Sequence, residues 1–446
     1  MSTIRKSRFC FLIEENNEFL TYVSSTNSFY KINGYVADLI KKTNFELRNK
    51  EDISNKAEIE SLRKLKILTT EEEDNNLVDI LRMKFLMHSY AKECVGIIIV
   101  PTLSCNLRCS YCFEKNKKTG SMDNSICDKI IEFINYHSYA KYFALTWYGG
   151  EPLLCHETIE YLLSKIKDIK DKKLISHGMI TNGTLLTSKN IDLFKEYPLD
   201  TIQITFDGIK STHDTKRITV AGHGTFDKII ENLKLFINKS PNTKISIRVN
   251  IDKNNASEFM DVYKMIKEMF PEKKNIIIYP GILRACEKTD LNTPFLMNND
   301  VAEIRRYFHQ HGYPIEFPHT IETGCCATCL SSYIIGPIGE IYKCWEEVGI
   351  DNCVVGNVKD MKYTNIELLS KYMLHGSHIL DEGCYKCPLL PVCSNDCARS
   401  RINNKFNGTT YDLCSIYKSH DFKALSTHLY DFYCKFVKKQ QPITSL

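Results

Sequence analysis

The chain has 446 residues, 43% hydrophobic and 25% charged, enough for roughly two to four domains. Its 58 Lys and Arg against 54 Asp and Glu leave a net charge of only +4, so no basic surface dominates the chain and charge does not point to nucleic acid. No stretch approaches the roughly 18 apolar residues that span a bilayer, and the opening MSTIRKSRFCFLIEENNEF has only a short apolar run before Glu14 and Glu15. Neither membrane nor secretory signal is expected. Nineteen cysteines, concentrated at 105–112 and 325–414, therefore read as metal ligands of a cytoplasmic protein rather than as a disulfide framework.

In chain order, residues 8–32 read as strands turning at Asn16-Asn17 and at Ser-Thr-Asn, and helical patterns follow at 35–42, 56–66 and 77–91. These predict a small module over 1–92. Short apolar strands then alternate with helices: 96–101, 143–148, 176–181, 201–206, 244–250 and 275–280 are the strands, and 124–136, 157–168, 225–237 and 256–269 are helical. This pattern predicts the α/β class, with a parallel sheet curled into a partial (β/α)6 TIM-type barrel over 93–315. Beyond 315 the periodicity weakens and cysteines take over, as in a loop-rich domain over 316–446 held by metal.

Barrel chemistry sits at strand C-terminal ends, and the unusual residues fall there. Cys105, Cys109 and Cys112 follow the first strand, GGEP (149–152) the second, TNGT (181–184) the third and Asp207-Gly208 the fourth. Three thiolates on one loop hold three irons of a cubic [4Fe-4S] cluster and leave the fourth iron open. The competing reading is one apolar face of a core helix, since the spacing is i, i+4, i+7. In GGEP, Gly149 and Gly150 permit close approach of a ligand, Pro152 fixes the turn, and Glu151 offers a carboxylate to an ammonium. His213 beside Asp214 reads either as an acid/base pair or as a cap that orients the next loop.

The Cys-x3-Cys-x2-Cys spacing, with the aromatic Tyr111 before the last Cys, resembles the signature of the radical S-adenosylmethionine (SAM) superfamily. The resemblance implies that the open iron chelates the amino and carboxylate groups of SAM, and that an electron from the cluster cleaves it to methionine and a 5′-deoxyadenosyl radical. It also implies that GGEP binds the SAM amino group. TNGT and ITFDGIKSTHDTKR (204–217) resemble elements of the branch that modifies peptides, which makes Asn182, Thr205 and Arg217 candidate SAM contacts. Arg217 or Arg248 suits the SAM carboxylate through a bidentate fork.

Further along stand Cys325, Cys326, Cys329, Gly339-x4-Cys344, then Cys384-x2-Cys387-x5-Cys393-x3-Cys397 and Cys414. On spacing alone, paired Cys-x2-Cys also fits structural zinc. Beside a radical SAM barrel the array resembles the SPASM extension, with two auxiliary [4Fe-4S] clusters and so three clusters in all. The resemblance assigns auxiliary cluster I to Cys329, Cys344 and Cys397 with Cys325 or Cys326, and auxiliary cluster II to Cys384, Cys387, Cys393 and Cys414. An incompletely ligated cluster I would bind a substrate thiolate. Cys10, Cys94, Cys127, Cys155, Cys286, Cys353 and Cys434 match no motif and read as small buried hydrophobes.

SPASM enzymes act on peptides or proteins, and the module over 1–92 resembles the winged-helix leader-recognition element of ribosomal-peptide maturases, which adds an extended leader to an open sheet edge. SSYIIGPIGEIYKCW (331–345) is similar to the corresponding segment of the sactipeptide and ranthipeptide enzymes. The expected activity is thioether formation between Cys and carbon in a precursor peptide, with a flavodoxin or ferredoxin as electron donor. Carbon–carbon or carbon–oxygen crosslinking, or an anaerobic sulfatase-maturing type of activity, is the alternative. Sulfatase maturation is disfavoured because those enzymes carry an acidic residue where Trp345 stands, and a zinc-stabilised peptide-binding scaffold is the non-enzyme alternative.

Overall fold

The computed structural model describes residues 3–42, 56–112, 120–283, 295–320, 325–394 and 397–438. They form two compact units, one from 1–89, 298–325 and 374–446, the other from 90–297 and 326–373.

The first unit opens with β1 (Arg5–Lys6), β2 (Cys10–Glu15), β3 (Glu18–Val23) and β4 (Ser28–Ile32), then α1 (Gly34–Lys41), α2 (Lys56–Lys64), β5 (Leu68–Thr69) and α3 (Glu71–Ser89). The β2–β3 hairpin turns at Asn16 and Asn17, both at positive φ as a tight twist-matched turn requires. β4 completes an antiparallel sheet in the order β2-β3-β4, and β1 pairs with β5. Ile13, Leu20 and Tyr22 of the sheet share one apolar cluster with Leu425, Leu429 and Tyr433. Phe9, Val78 and Phe85 share another with Ile379 and Leu390. Each such side chain contributes about 1.5–3 kcal/mol on burial, so the module and the C-terminal segment fold as one body.

In the second unit, β6 (Cys94–Ile99), β7 (Tyr142–Trp147), β8 (Lys173–Thr181), β9 (Thr201–Phe206), β10 (Lys244–Ile251) and β11 (Ile276–Ile282) run parallel and in sequence order. Residues such as Ile97, Leu145, Trp147, Ile204 and Ile247 are fully buried under the intervening helices, which is why these strands read as apolar runs. Asp123 accepts a hydrogen bond from the Ile126 amide and starts the helix Asn124–Tyr136. Among the described residues the sheet is open at this end, since β11 pairs only with β10.

The division differs from the expected boundaries at 92 and 315. β12 (Ser332–Ile335) pairs in parallel with β6, and β13 (Glu340–Tyr342), β14 (Gly356–Asn357) and β15 (Lys362–Tyr363) continue the sheet antiparallel. Backbone hydrogen bonding thus draws 332–363 into the barrel sheet rather than leaving it with the later cysteines. Among the described residues, no helix is long and apolar enough to cross a membrane.

Candidate active site

The loop carrying Cys105, Cys109 and Cys112 leaves β6 and is held from several sides. The Arg108 amide donates to the Ile218 carbonyl at 2.8 Å and the Val220 amide to the Asn106 carbonyl at 3.1 Å, while Leu107 bridges Thr219. Onto the Cys105 sulfur, the Leu107 amide donates at 3.4 Å and Asn182 Nδ2 at 3.7 Å. Asn182 also donates to Asn106 Oδ1 at 2.9 Å, and Asn106 in turn donates to Thr184 Oγ1. This is a loop, not a helix face. Burial pushes the Cys105 thiol up to about 11 and raises Cys109, with Arg217 pulling Cys109 the other way. Such thiols stay protonated at neutral pH until a metal displaces the proton.

GGEP is the loop's second support, and its glycines admit a close approach of backbone to backbone. Gly149 has φ +126°, and a Cβ there would lie 2.4 Å from the Thr102 carbonyl oxygen. A Cβ on Gly150 would meet the carbonyl oxygens of Ser104 and Leu103 at 2.3 and 2.5 Å. Both glycines let the turn pack on the backbone leading into Cys105, where the Gly150 amide donates to Thr102 and the Glu151 amide to Ser104. Pro152 opens the short helical turn that follows, capped by Glu151.

The Glu151 carboxylate is fully buried and serves the protein rather than standing open to an ammonium. It accepts from the Thr181 hydroxyl at 2.9 and 3.0 Å, the Asn182 amide at 2.8 Å and the Leu153 amide at 3.1 Å. It therefore fixes the end of β8 against the exit of β7. Burial raises its pKa against those hydrogen bonds.

A second network gathers Tyr111, Arg217 and Arg248 around Asp207 and Asn250, two residues the motif reading did not single out as contacts. Tyr111 donates its hydroxyl to Asp207 Oδ2 at 2.5 Å and accepts from Arg217 Nη1 at 2.9 Å and Asn250 Nδ2 at 3.0 Å. Arg248 Nε donates to Asn250 Oδ1 at 2.7 Å, and Arg248 is in register with Thr205. Burial pushes the Asp207 carboxyl up, against the pull of the Arg217 guanidinium. Asp207 Oδ1 and Arg217 Nε are buried and make no hydrogen bond among the described residues. The Asp207-Gly208 pair at a strand end was the available signal for one of them. Asn250, a single polar residue in IRVNI, offered none.

His213 is buried, with Nε2 at 3.0 Å from Thr225 Oγ1. Asp214 accepts from the Thr225 and Phe226 amides at the start of the helix Phe226–Lys239. Asp214 thus caps that helix, and His213 Nδ1 accepts from the Asp207 amide at 3.3 Å.

Of the later cysteines, Cys326, Cys329, Cys344 and Cys353 belong to the second unit, and Cys325, Cys384, Cys387, Cys393, Cys397 and Cys414 to the first. Trp345 Nε1 donates to Cys326 Sγ at 3.0 Å. Lys343 is buried, and its ammonium donates to the carbonyls of Cys329 and Ser332, both at 2.6 Å. Among the described residues, no three His, Cys, Asp or Glu side chains are drawn up to ligate a single ion. The donor chemistry fits clusters instead: three thiols on the first loop with two N–H groups on the Cys105 sulfur, and thiols beside an indole N–H and a buried ammonium on the second. Of the cysteines outside the motifs, Cys10 and Cys127 are buried as expected, whereas Cys94, Cys155, Cys353 and Cys434 are partly exposed. Cys286 lies outside the described residues.

Residues 99–282 match the family described as the Radical SAM superfamily, which implies SAM and a [4Fe-4S] cluster. A cysteine-type anaerobic sulfatase-maturating enzyme of Clostridium novyi is 25% identical over 368 residues, 75% of this chain and 96% of that protein. The radical SAM cyclopropyl synthase TigE of Paramaledivibacter caminithermalis is 24% identical over 355 residues, 72% of each chain. Among solved structures, anSMEcpe with bound AdoMet superposes with a TM-score of 0.59 at 19% identity, covering 78% of this chain and 99% of its own. Streptococcus suis SuiB bound to its precursor peptide SuiA gives a TM-score of 0.53 at 14% identity, covering 92% of this chain and 99% of its own.

Proposed function

We propose that this chain, a radical SAM enzyme, joins a Cys sulfur to a carbon of a ribosomally made precursor peptide in a thioether. Cys105, Cys109 and Cys112 would hold the SAM-binding cluster. When bound, cluster and SAM together supply a 5′-deoxyadenosyl radical, chemistry that belongs to the cofactor. The protein's part is placement. Glu151 locks Thr181 and Asn182 so that Asn182 supports the Cys105 sulfur, and Tyr111 ties the loop to Arg217 and Asn250. Arg217, with Nε unused by the protein, is the partner for the SAM carboxylate. Auxiliary cluster I would take Cys329, Cys344 and Cys397 with one of Cys325 and Cys326, and auxiliary cluster II Cys384, Cys387, Cys393 and Cys414. A flavodoxin or ferredoxin would supply electrons.

The observation that carries thioether formation over sulfatase maturation is Trp345, directly after Cys344. Its indole N–H is spent on Cys326, and an indole cannot take a proton from a substrate as a carboxylate can. A peptide partner is supported by the antiparallel sheet β2-β3-β4, whose outer strands each have one neighbour among the described residues and so offer an edge for an added strand. SuiB, crystallised with its precursor peptide, also covers more of this chain than anSMEcpe does. The similarity to a cyclopropyl synthase favours carbon–carbon bonding as the second reading.

Anaerobic reaction with the full-length precursor separates the two. A thioether replaces one C–H and one S–H bond by C–S, so each bridge removes about two mass units on this cofactor chemistry. The expected product loses two mass units per bridge and one alkylatable Cys with each. The same loss with every Cys still alkylatable would replace the thioether by a carbon–carbon or carbon–oxygen bond.

A further inference from the structure

Two arginines suit a carboxylate by sequence, and the fold gives them different surroundings. Arg217 lies beyond β9, buried at the end of the helix Lys210–Lys216, with Nη1 on the Tyr111 hydroxyl. Arg248 lies within β10, in register with Thr205 of β9 and Tyr279 of β11. Ile202 and Ile204 of β9 and Ile245 and Ile247 of β10 are fully buried on one face. By alternation, Gln203, Arg248 and Tyr279 share the opposite, inner face of the sheet, where each is half-buried.

The arm of Arg248 is built into this face. Its Nε donates to Asn250 Oδ1 at 2.7 Å. A Cβ on Gly281, the residue in register with Asn250, would come within 2.4 Å of that nitrogen and 2.9 Å of Arg248 Cγ, so only glycine lets the arm lie across β11 here. Asn250 Nδ2 in turn donates to Tyr111. Arg248 therefore starts one face position, about 7 Å along the strand, further into the barrel than the residue that ties down the cysteine loop. Beside it, Tyr279 donates to Gln203 Oε1 at 2.6 Å. Burial raises the Tyr279 hydroxyl pKa, and the Arg248 charge pulls it the other way. Arg248 makes no ion pair among the described residues. A guanidinium keeps its charge at any working pH and presents a fork that matches a carboxylate.

We infer that Arg248, with Gln203 and Tyr279 beside it, is a specificity-determining subsite for the carboxylate of an Asp or Glu side chain in the precursor peptide, separate from the SAM carboxylate proposed for Arg217. The inference rests on the peptide reading given above and adds to it the class of residue that the inner face of the sheet accepts.

Exchanging charge for amide on both partners tests it. The probes are the full-length precursor and versions in which each Asp or Glu of the modified region is changed singly to Asn or Gln, reacted anaerobically with the full-length reconstituted enzyme. With the wild type, one such change should lower kcat/KM for the loss of about two mass units by about thirtyfold or more, as truncating one partner of a desolvated charge pair does. With Arg248→Gln the unaltered precursor should fall by a similar factor, and the same precursor change should then make little further difference. Arg248→Lys keeps the charge without the fork and should restore part of the ratio. A merely structural role for Arg248 would slow both precursors alike and leave the thirtyfold ratio intact, which would overturn the inference. So would a precursor whose acids can all be exchanged without loss. An Arg248→Gln deficit lying wholly in SAM affinity, measured by equilibrium dialysis, would also overturn it, since the carboxylate held would then be that of SAM. No mass loss from the unaltered precursor with the wild-type enzyme would instead remove the peptide reading, and the subsite with it.

Discussion

The two cysteine-bearing regions are built on opposite terms. The loop through Cys105, Cys109 and Cys112 takes its bonds from distant parts of the chain: Ile218 and Val220 on one side, Asn182 on another, and Gly150 and Glu151 beneath. The segment through Cys384, Cys387 and Cys393 is knitted chiefly by short-range bonds, Cys384 to Asp381, Cys387 to Cys384 and Leu390 to Cys387. The barrel thus shapes the first loop, whereas the second segment is anchored through Leu389, Leu390 and Val392 in the apolar clusters of the first unit and, on the proposed reading, would take the rest of its shape from its cluster.

That contrast predicts its largest effect on metal removal. Anaerobic chelation should leave protection from hydrogen exchange in β6–β11 nearly unchanged while peptides covering 384–414 lose most of theirs. Equal loss in both regions would erase the distinction.

Next in size is a change to the support beneath the first loop. Gly150→Ala places a methyl against two carbonyl oxygens, so the turn or the loop must move. SAM affinity, measured by equilibrium dialysis of the reconstituted protein, should fall roughly tenfold or more. Unchanged affinity would show that the loop does not depend on this packing.

The smallest effect concerns the first unit's own framework. Glu18 accepts from Lys438 and Lys31, both at 3.0 Å, and from Tyr433 at 3.1 Å. Despite the cost of its burial, these donors hold its carboxyl down at about 2. A depressed carboxyl stabilises the fold above its unfolded pKa of about 4.3, and that contribution fades as pH falls towards the folded value. Glu18→Gln should cost about 1 kcal/mol at pH 7 by urea unfolding. The gap should narrow below pH about 4.3 and close near about 2. A gap independent of pH would show that charge is not the source.

Much of the barrel was legible because its strands are buried on both faces and its helices start at caps such as Asp123, both of which are local signals. The first cysteine loop was legible for the same reason. What escaped depends on pairing across long separations. The expected boundary near 315 missed β12 because its partner, β6, lies more than 200 residues earlier. Likewise nothing in FCFLIEE announces that Phe9 packs with Ile379. Glu151 was legible as a carboxylate at a strand end, but its donors on β8 were not, so the bonds it makes emerged only from the fold.

The central claim is that the strand-end thiols, and not the later ones, support cleavage of SAM. It is tested most directly by measuring 5′-deoxyadenosine formed under reducing, peptide-free conditions by the wild type, Cys109→Ala and Cys387→Ala. The account predicts product from the wild type and from Cys387→Ala, and none from Cys109→Ala. Wild-type product levels from Cys109→Ala would contradict it.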